Sequence, residues 1–362
     1  MATSFKTFDT TTDTDTTRNL LHEAIPVTGS IVSGTYSDNN IKNFSHGMFQ
    51  SVYDYPYLSS SANHIFDLTA GFPATSSLSG TSPAHIQNAK KINIYNQMAQ
   101  VLAGYDANGA IRRFDEDGDL TDGTKIDEAY FVNLTRLLSK DEVKKGSFSL
   151  TLGVNPDYTA PFSQTIIISD ASGSNGYKVN SPAGEYGILF AKQGTGTPIA
   201  GGSSTIGTPC GLLYYQAGIA VLSASAFGSL LTVPVSMSRT EGVGSHASAS
   251  VNAILSGSSI SGNCDAFRHR METLSFNNTT ELYSSIYHCR VFSSDFNYSS
   301  NPTYLSSSQI VVKTEARDLP ISYVTSVGLY SPDNELLAVA KLSEPLKKDS
   351  TTEFTIRVRL DY

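Results

Sequence analysis

Phe354, Ile356, Val358 and Leu360 alternate with Thr355, Arg357, Arg359 and Asp361, and no other stretch constrains the fold as tightly. A period of two puts the apolar set on one face and the polar set on the other, the signature of a half-buried β-strand. Upstream, 321–330 and 336–342 are two more apolar runs around Ser331-Pro332-Asp333-Asn334. Proline fixes φ for a turn, and Asp and Asn tolerate its less common backbone angles, so the pair reads as a hairpin. The 318–362 block therefore predicts a C-terminal antiparallel sheet.

Composition extends this reading to much of the chain. Charged residues make up 16%, below the roughly 25% of an average globular domain. Ser, Thr, Asn, Gly and Tyr fill the gap, which favours short strands and turns. Beyond Ser147 the runs 147–152, 165–169, 186–191, 211–215, 219–222, 230–235 and 305–312 are short, apolar or alternating, and separated by Gly, Ser, Pro and Asn. Two helices are expected in the middle. Ile92, Tyr95, Met98, Ala99 and Leu102 recur at helical spacing before Gly104, a C-terminal cap. Ile126, Ala129, Tyr130, Asn133, Leu134, Leu137 and Leu138 repeat the pattern, with Asp127 and Glu128 early and Lys140 late. The fold class is α+β, mainly β, with antiparallel sheets or a sandwich and a small helical segment around residues 90–145.

Three blocks follow from these shifts. Residues 1–30 form a Thr/Asp-rich arm that buries too little apolar surface to fold alone and is expected to order against a neighbouring subunit. Residues 31–150 are a mixed segment with the two helices, and 151–362 a β-rich domain. The weakly charged stretch 193–264 suits either a subunit interface, whose core is depleted in charge, or the interior of a sandwich. Gln216, Gly218, Ser223, Ser225, Gly228 and Pro234 punctuate its apolar part, so strands fit better than a membrane span. A net charge of −8 argues against binding nucleic-acid backbones. Cys210, Cys264 and Cys289 show neither disulfide nor zinc spacing and are expected as free thiols. Residues 1–6 lack the charged-then-apolar pattern of a signal peptide, so no export is expected.

The acidic loop from Asp115 to Gly123 is the one metal candidate. Counting Asp117 as first ligand places Asp119 third, Thr121 fifth and Glu128 twelfth, as in a calcium loop; the sixth position, which should be glycine, is Asp122. The alternative is a solvated acidic turn. His246 among serines, and His288 beside Cys289, match no nucleophile motif. Gly194-Thr195-Gly196 and Gly201-Gly202-Ser203 lack the Lys-Ser/Thr of a phosphate loop. Arg268, His269, Arg270 and Arg290 lie among Asp265, Glu272 and Glu281, so internal pairing is expected rather than a basic patch. Neither a catalytic residue nor a cofactor is assigned.

The phrases Ser326–Tyr330, Asp333–Leu342 and Arg357–Tyr362 resemble the terminal module of virion structural proteins from tailed bacteriophages, especially contractile-tailed phages and cyanophages. Asp295–Thr303, Phe131–Arg136 and Lys144–Phe148 are similar to further phrases of that group. The resemblance implies a non-enzymatic particle component of the tail or baseplate, assembled in the host cytoplasm. It would pack against other virion proteins and its own copies as a homo-oligomer or ring subunit. The other reading is a neck, collar or fibre-adaptor protein that binds a receptor or glycan. In that case Tyr53, Tyr55, Tyr57, Phe296 and Tyr298 would stack on sugars.

Overall fold

The computed structural model describes residues 5–26, 38–80, 86–119, 123–138, 141–154, 162–196, 199, 206–231, 249–299, 305–306, 309–310, 315, 317 and 319–361. The first part of the chain holds β1 (Thr14–Pro26), β2 (Ile41–Asn43), β3 (Gln50–Tyr53), β4 (His64–Gly71) and α1 (Ile86–Leu102). There follow β5 (Phe114–Asp115), β6 (Lys125–Ile126), β7 (Ala129–Asn133), β8 (Glu142–Val143), β9 (Ser149–Gly153) and β10 (Thr165–Ser169). Next come α2 (Gly173–Gly176), β11 (Lys178–Ser181), β12 (Gly184–Gln193), β13 (Thr208–Tyr214), β14 (Ile219–Ser223), α3 (Val251–Gly257), α4 (Ile260–Arg268) and β15 (Met271–Ser275). The remainder is β16 (Asn277–Val291), β17 (Leu305–Ser306), β18 (Gln309–Ile310), β19 (Ile321–Tyr330), β20 (Leu336–Asp349) and β21 (Phe354–Asp361). Mainly β with a few helices, this is the expected class.

The chain divides into two compact units, His22–Thr280 and a second made of Met1–Leu21 with Glu281–Tyr362. The division does not follow the boundaries at 30 and 150 that composition suggests, because it joins segments far apart in sequence.

The larger unit is built on an eleven-stranded antiparallel sheet in the order β15-β9-β10-β12-β13-β14-β7-β4-β3-β2, with β11 beside β12. Both faces of its middle are covered. Phe131 on β7 meets Tyr95 of α1, whereas its neighbour Tyr130 stacks on Phe267 of α4 at 4.8 Å. Adjacent strand residues point to opposite faces, so α1 and α4 lie on opposite sides. Gly71 lets α1 approach, since a Cβ there would sit 2.6 Å from the Lys91 carbonyl and 3.0 Å from the Tyr95 nitrogen. On the other side the Cys264 thiol donates to the Leu68 carbonyl at 3.1 Å. Lys91 is fully buried, its ammonium donating to the carbonyls of Leu255 (2.5 Å) and Ser258 (2.6 Å) at the end of α3. The orphan carbonyls of that helix end are thereby satisfied.

The first expected helix is α1, and Gly104 (φ +79°) donates its N–H to the Ala99 carbonyl, closing it as a left-handed cap. The second expected helix is absent: 125–137 is β6, β7 and a single 3-10 turn at Thr135–Leu137. Ala129, Tyr130, Phe131 and Val132 are all buried. A strand buried on both faces is apolar at every position, and such a run contains helical spacings by default. The 208–231 stretch proves to be interior, with Cys210, Leu212, Leu213, Tyr214 and Val221 fully buried, so its described part is core and not a subunit interface.

In the smaller unit β21 pairs with β16, Val358 opposite Tyr287 and Phe354 opposite Val291. Its apolar side chains are buried or half-buried and its polar ones exposed, the expected alternation. β1 lies on the other side of β16. The described part of the N-terminal arm is therefore ordered by pairing with a strand of its own chain. The His288 N–H donates to the Asp13 carbonyl (2.8 Å), Arg290 pairs with Asp13 (3.0 Å), and Lys6 with Asp295 (2.8 Å). The Phe8 and Tyr287 rings meet at 5.5 Å. Low apolar content predicts an arm that cannot fold alone, and backbone pairing to a strand distant in sequence supplies what the local composition lacks. The three cysteines are free. Among the described residues no helix is long and apolar enough to cross a membrane.

Candidate functional site

β19 and β20 form a two-stranded antiparallel ribbon in the smaller unit. Its turn is the one the sequence implies: Asn334 takes φ +63°, its N–H donates to the Ser331 carbonyl (3.0 Å), and Ser331 N–H donates to the Glu335 carbonyl (2.8 Å). Register runs from Leu329 opposite Ala338 to Ser326 opposite Lys341. It breaks at a bulge and resumes with Val324 opposite Leu346. The base is held by Lys348, which is fully buried and donates to Asn297 Oδ1 (2.7 Å) and to the carbonyls of Ser293 (3.1 Å) and Asp349 (2.7 Å). Asp349 accepts from Thr351 N–H (3.0 Å) and from the hydroxyls of Thr351 and Thr352, which hold its carboxyl well below the usual range.

Away from that base the ribbon is apolar and wet. Leu337 is 68% exposed and Val339 57%, and Tyr323, Tyr330, Leu336 and Leu346 are exposed as well. The exposure is one-sided: Leu337 and Val339 are exposed, whereas on the other face Leu329 is buried and Val327, Ala338, Ala340 and Leu342 are half-buried. An isolated hairpin is marginal in water. Each exposed Leu or Val forgoes roughly 1.5–3 kcal/mol relative to full burial. The ribbon is thus a surface able to gain several kcal/mol by docking.

The acidic loop joins β5 to β6. Phe114 and Ile126, paired and buried, fix its base and carry Asp115 into a fully buried position beside the Lys125 ammonium. Asp117 N–H donates to Asp115 (3.3 Å) and Asp119 N–H to Asp117 (3.1 Å), folding the loop back on itself around Gly118 (φ +70°). The Gly118 carbonyl accepts from Tyr186 Oη (2.9 Å). Carboxylate oxygens of Asp115, Asp117 and Asp119 consequently lie within 4.8 Å of one another. The gathered set differs from the expected one. Asp115 replaces Glu128, whose carboxylate instead accepts from Ser76 Oγ at 2.6 Å; Thr121 lies outside the described residues. A hairpin, not the helix pair that the spacing assumed, carries the loop. Burial pushes Asp115 up, and it raises Glu116 to about 7, the neighbouring Asp115 and Asp117 adding to the effect against a Ser223 hydrogen bond.

The other singled-out residues are dispersed. His288 reaches Asp15 (3.2 Å), while burial, with Asp13 nearby, raises the Cys289 thiol. As strand neighbours these two point apart. Arg268, buried, pairs with Asp265 at 3.1 Å, and Arg290 with Asp13, so both are internally paired as expected. Gly194 lies just beyond β12, its N–H donating to the Thr165 carbonyl (3.0 Å). His246 and Gly201-Gly202-Ser203 lie outside the described residues. Of the aromatics, Tyr55, Tyr57 and Tyr298 are exposed and Tyr53 and Phe296 half-buried; the first three in sequence belong to the larger unit and the last two to the smaller. What the sequence could not reveal is which face of the ribbon is exposed and how far, since alternation alone does not say whether a face is covered.

No family model matches the chain, and neither the curated proteins nor the solved structures contain a match.

Proposed function

We propose that this chain is a structural subunit of a tailed-phage virion, in the tail or baseplate, whose β19–β20 ribbon docks on other virion proteins or on further copies. The observation that carries this is the ribbon's exposed apolar face, with Leu337 and Val339 on it and Tyr323, Tyr330, Leu336 and Leu346 exposed as well, combined with a firmly anchored base. The phrases that resemble phage structural proteins, Ser326–Tyr330 and Asp333–Leu342, lie on the same ribbon. Immunogold electron microscopy of purified particles with an antibody to the chain is the test. Label at the tail end or neck is the expected result; absence from particles overturns the proposal.

A receptor-facing role is the second reading, favoured by the exposed rings of Tyr55, Tyr57 and Tyr298. It predicts label along fibres and binding to host glycans on an array, lost in the Tyr55→Ala/Tyr57→Ala double variant.

A further inference from the structure

The larger unit contains a cavity of about 500 Å³, open to solvent, between α1, the strands β4 and β7, and the loop before β3. Its size falls in the range of small-molecule sites, about 300–1,000 Å³. Most of its wall is apolar, with Phe49, Phe131 and Met98 on three sides. Thr69 Oγ1 donates to the Met48 carbonyl (2.6 Å) and pins the loop to β4. Within the loop, Phe44, His46 and Phe49 form a ring cluster with centroids 4.7–5.2 Å apart.

One charged side chain, Asp67, lines the cavity among the described residues. Its Oδ1 accepts from both Ser51 Oγ (2.5 Å) and His64 Nε2 (2.7 Å). Burial pushes the carboxyl up, but the bonds from His64 and Ser51 and the charges of His64 and Arg136 outweigh it and hold it below its ordinary range, so it is ionised at neutral pH. Oδ2 accepts none of these bonds. Asn133, opposite Asp67 on β7, also lines the cavity, and its Oδ1 accepts from the Thr135 N–H (3.0 Å). His46 accepts the Met48 N–H on Nδ1 (3.0 Å), leaving Nε2–H as a donor.

The chemistry selects among ligands. An anion would meet the Asp67 charge. A neutral apolar molecule would cover Oδ2 without pairing it, and a desolvated, unpaired carboxylate oxygen is costly. A sugar can stack a C–H face on Phe49, but the mostly apolar wall offers its ring of hydroxyls few partners. A protonated amine pairs with Oδ2, and its apolar body suits the aromatic and thioether wall, with the rings adding a cation–π attraction. We propose that this cavity binds a small organic cation, an ammonium group carried on an apolar, preferably aromatic, body.

Isothermal titration of the full chain with benzylamine, benzyl alcohol and methyl α-glucoside tests this. Benzylamine is expected to bind saturably and at least about tenfold more tightly than benzyl alcohol, since a charge-assisted bond separates them. Asp67→Asn is expected to erase that preference. Asp67 also holds Ser51 and His64, so a second variant guards against misfolding: Met98→Trp, which fills the cavity from a half-buried helix position, is expected to abolish binding of both. The chain has no native tryptophan, so fluorescence of that variant reports whether it is folded. Equal affinity for amine and alcohol overturns the proposal. So does failure of benzylamine to saturate, undiminished binding in Met98→Trp, or binding of the glucoside in its place.

Discussion

Asp170 illustrates how burial outweighs hydrogen bonding at a single carboxyl. It accepts the Gly146 N–H (2.6 Å), the Phe148 N–H (3.0 Å) and the Tyr215 hydroxyl (3.2 Å), yet desolvation pushes it from 3.8 up to about 6. Glu116 moves from 4.5 to about 7 for the same leading reason. Between their unfolded and folded values the folded chain binds more protons than the unfolded one. Their contributions to stability therefore grow as pH falls from about 7 towards 4, and are lost as pH rises through the folded values. Asp170→Asn removes one such group. The difference in unfolding free energy between wild type and variant is expected to change by roughly 2.5 kcal/mol between pH 7.5 and pH 4, at about 1.36 kcal/mol per pKa unit. Urea titrations at four pH values check this, and a flat difference contradicts it. Val358, 9% exposed opposite Tyr287, tests the strand register. Val358→Asp sets a charge into that face and is expected to cost roughly 2–4 kcal/mol, read from thermal melts. Residue-level legibility of the acidic loop was partial. Asp117 and Asp119 were found, but Asp115 was missed because its place depends on the buried Phe114–Ile126 pair and not on calcium-loop spacing.

At the scale of elements, what was legible had a local cause. α1 shows one apolar stripe and a glycine stop; the β19–β20 turn has Pro332 and Asn334; β21 alternates because one face is wet. β7 was misread because both of its faces are buried, which erases the period. The ribbon gives two opposed expectations. Leu337→Asp with Val339→Asp changes exposed positions, so the isolated chain is expected to keep its stability within about 1 kcal/mol while losing incorporation into particles. Cosedimentation with assembled particles, together with a melting curve, separates the two effects. Lys348→Ala acts at the other end. It strips the donor from Asn297 Oδ1 and from two carbonyls, at a cost of roughly 1–3 kcal/mol, and raises hydrogen exchange in β19 and β20.

For the molecule as a whole, the least legible feature was the smaller unit. Pairing β1 with β16 leaves no local mark, because its first six residues, 14–19, whose side chains are described, contribute backbone pairing and ion pairs rather than an apolar pattern. Deleting residues 1–21 is expected to release Arg290 and His288 from Asp13 and Asp15, and to loosen the smaller unit while the larger one still melts cooperatively. Hydrogen exchange on the truncated chain distinguishes this from a free arm, whose removal would leave β16 and β21 as protected as before.

The same connectivity sets an order of events during synthesis. The larger unit is encoded between the two segments of the smaller one, so it can fold on the ribosome while β1 waits for β16 and β21 to be made. A strand that waits for so distant a partner belongs to the slow phase of folding. The apolar-faced ribbon, translated after the whole larger unit, emerges only once that unit can already have folded. Premature sticking between half-made chains is thereby limited by the timetable of translation itself.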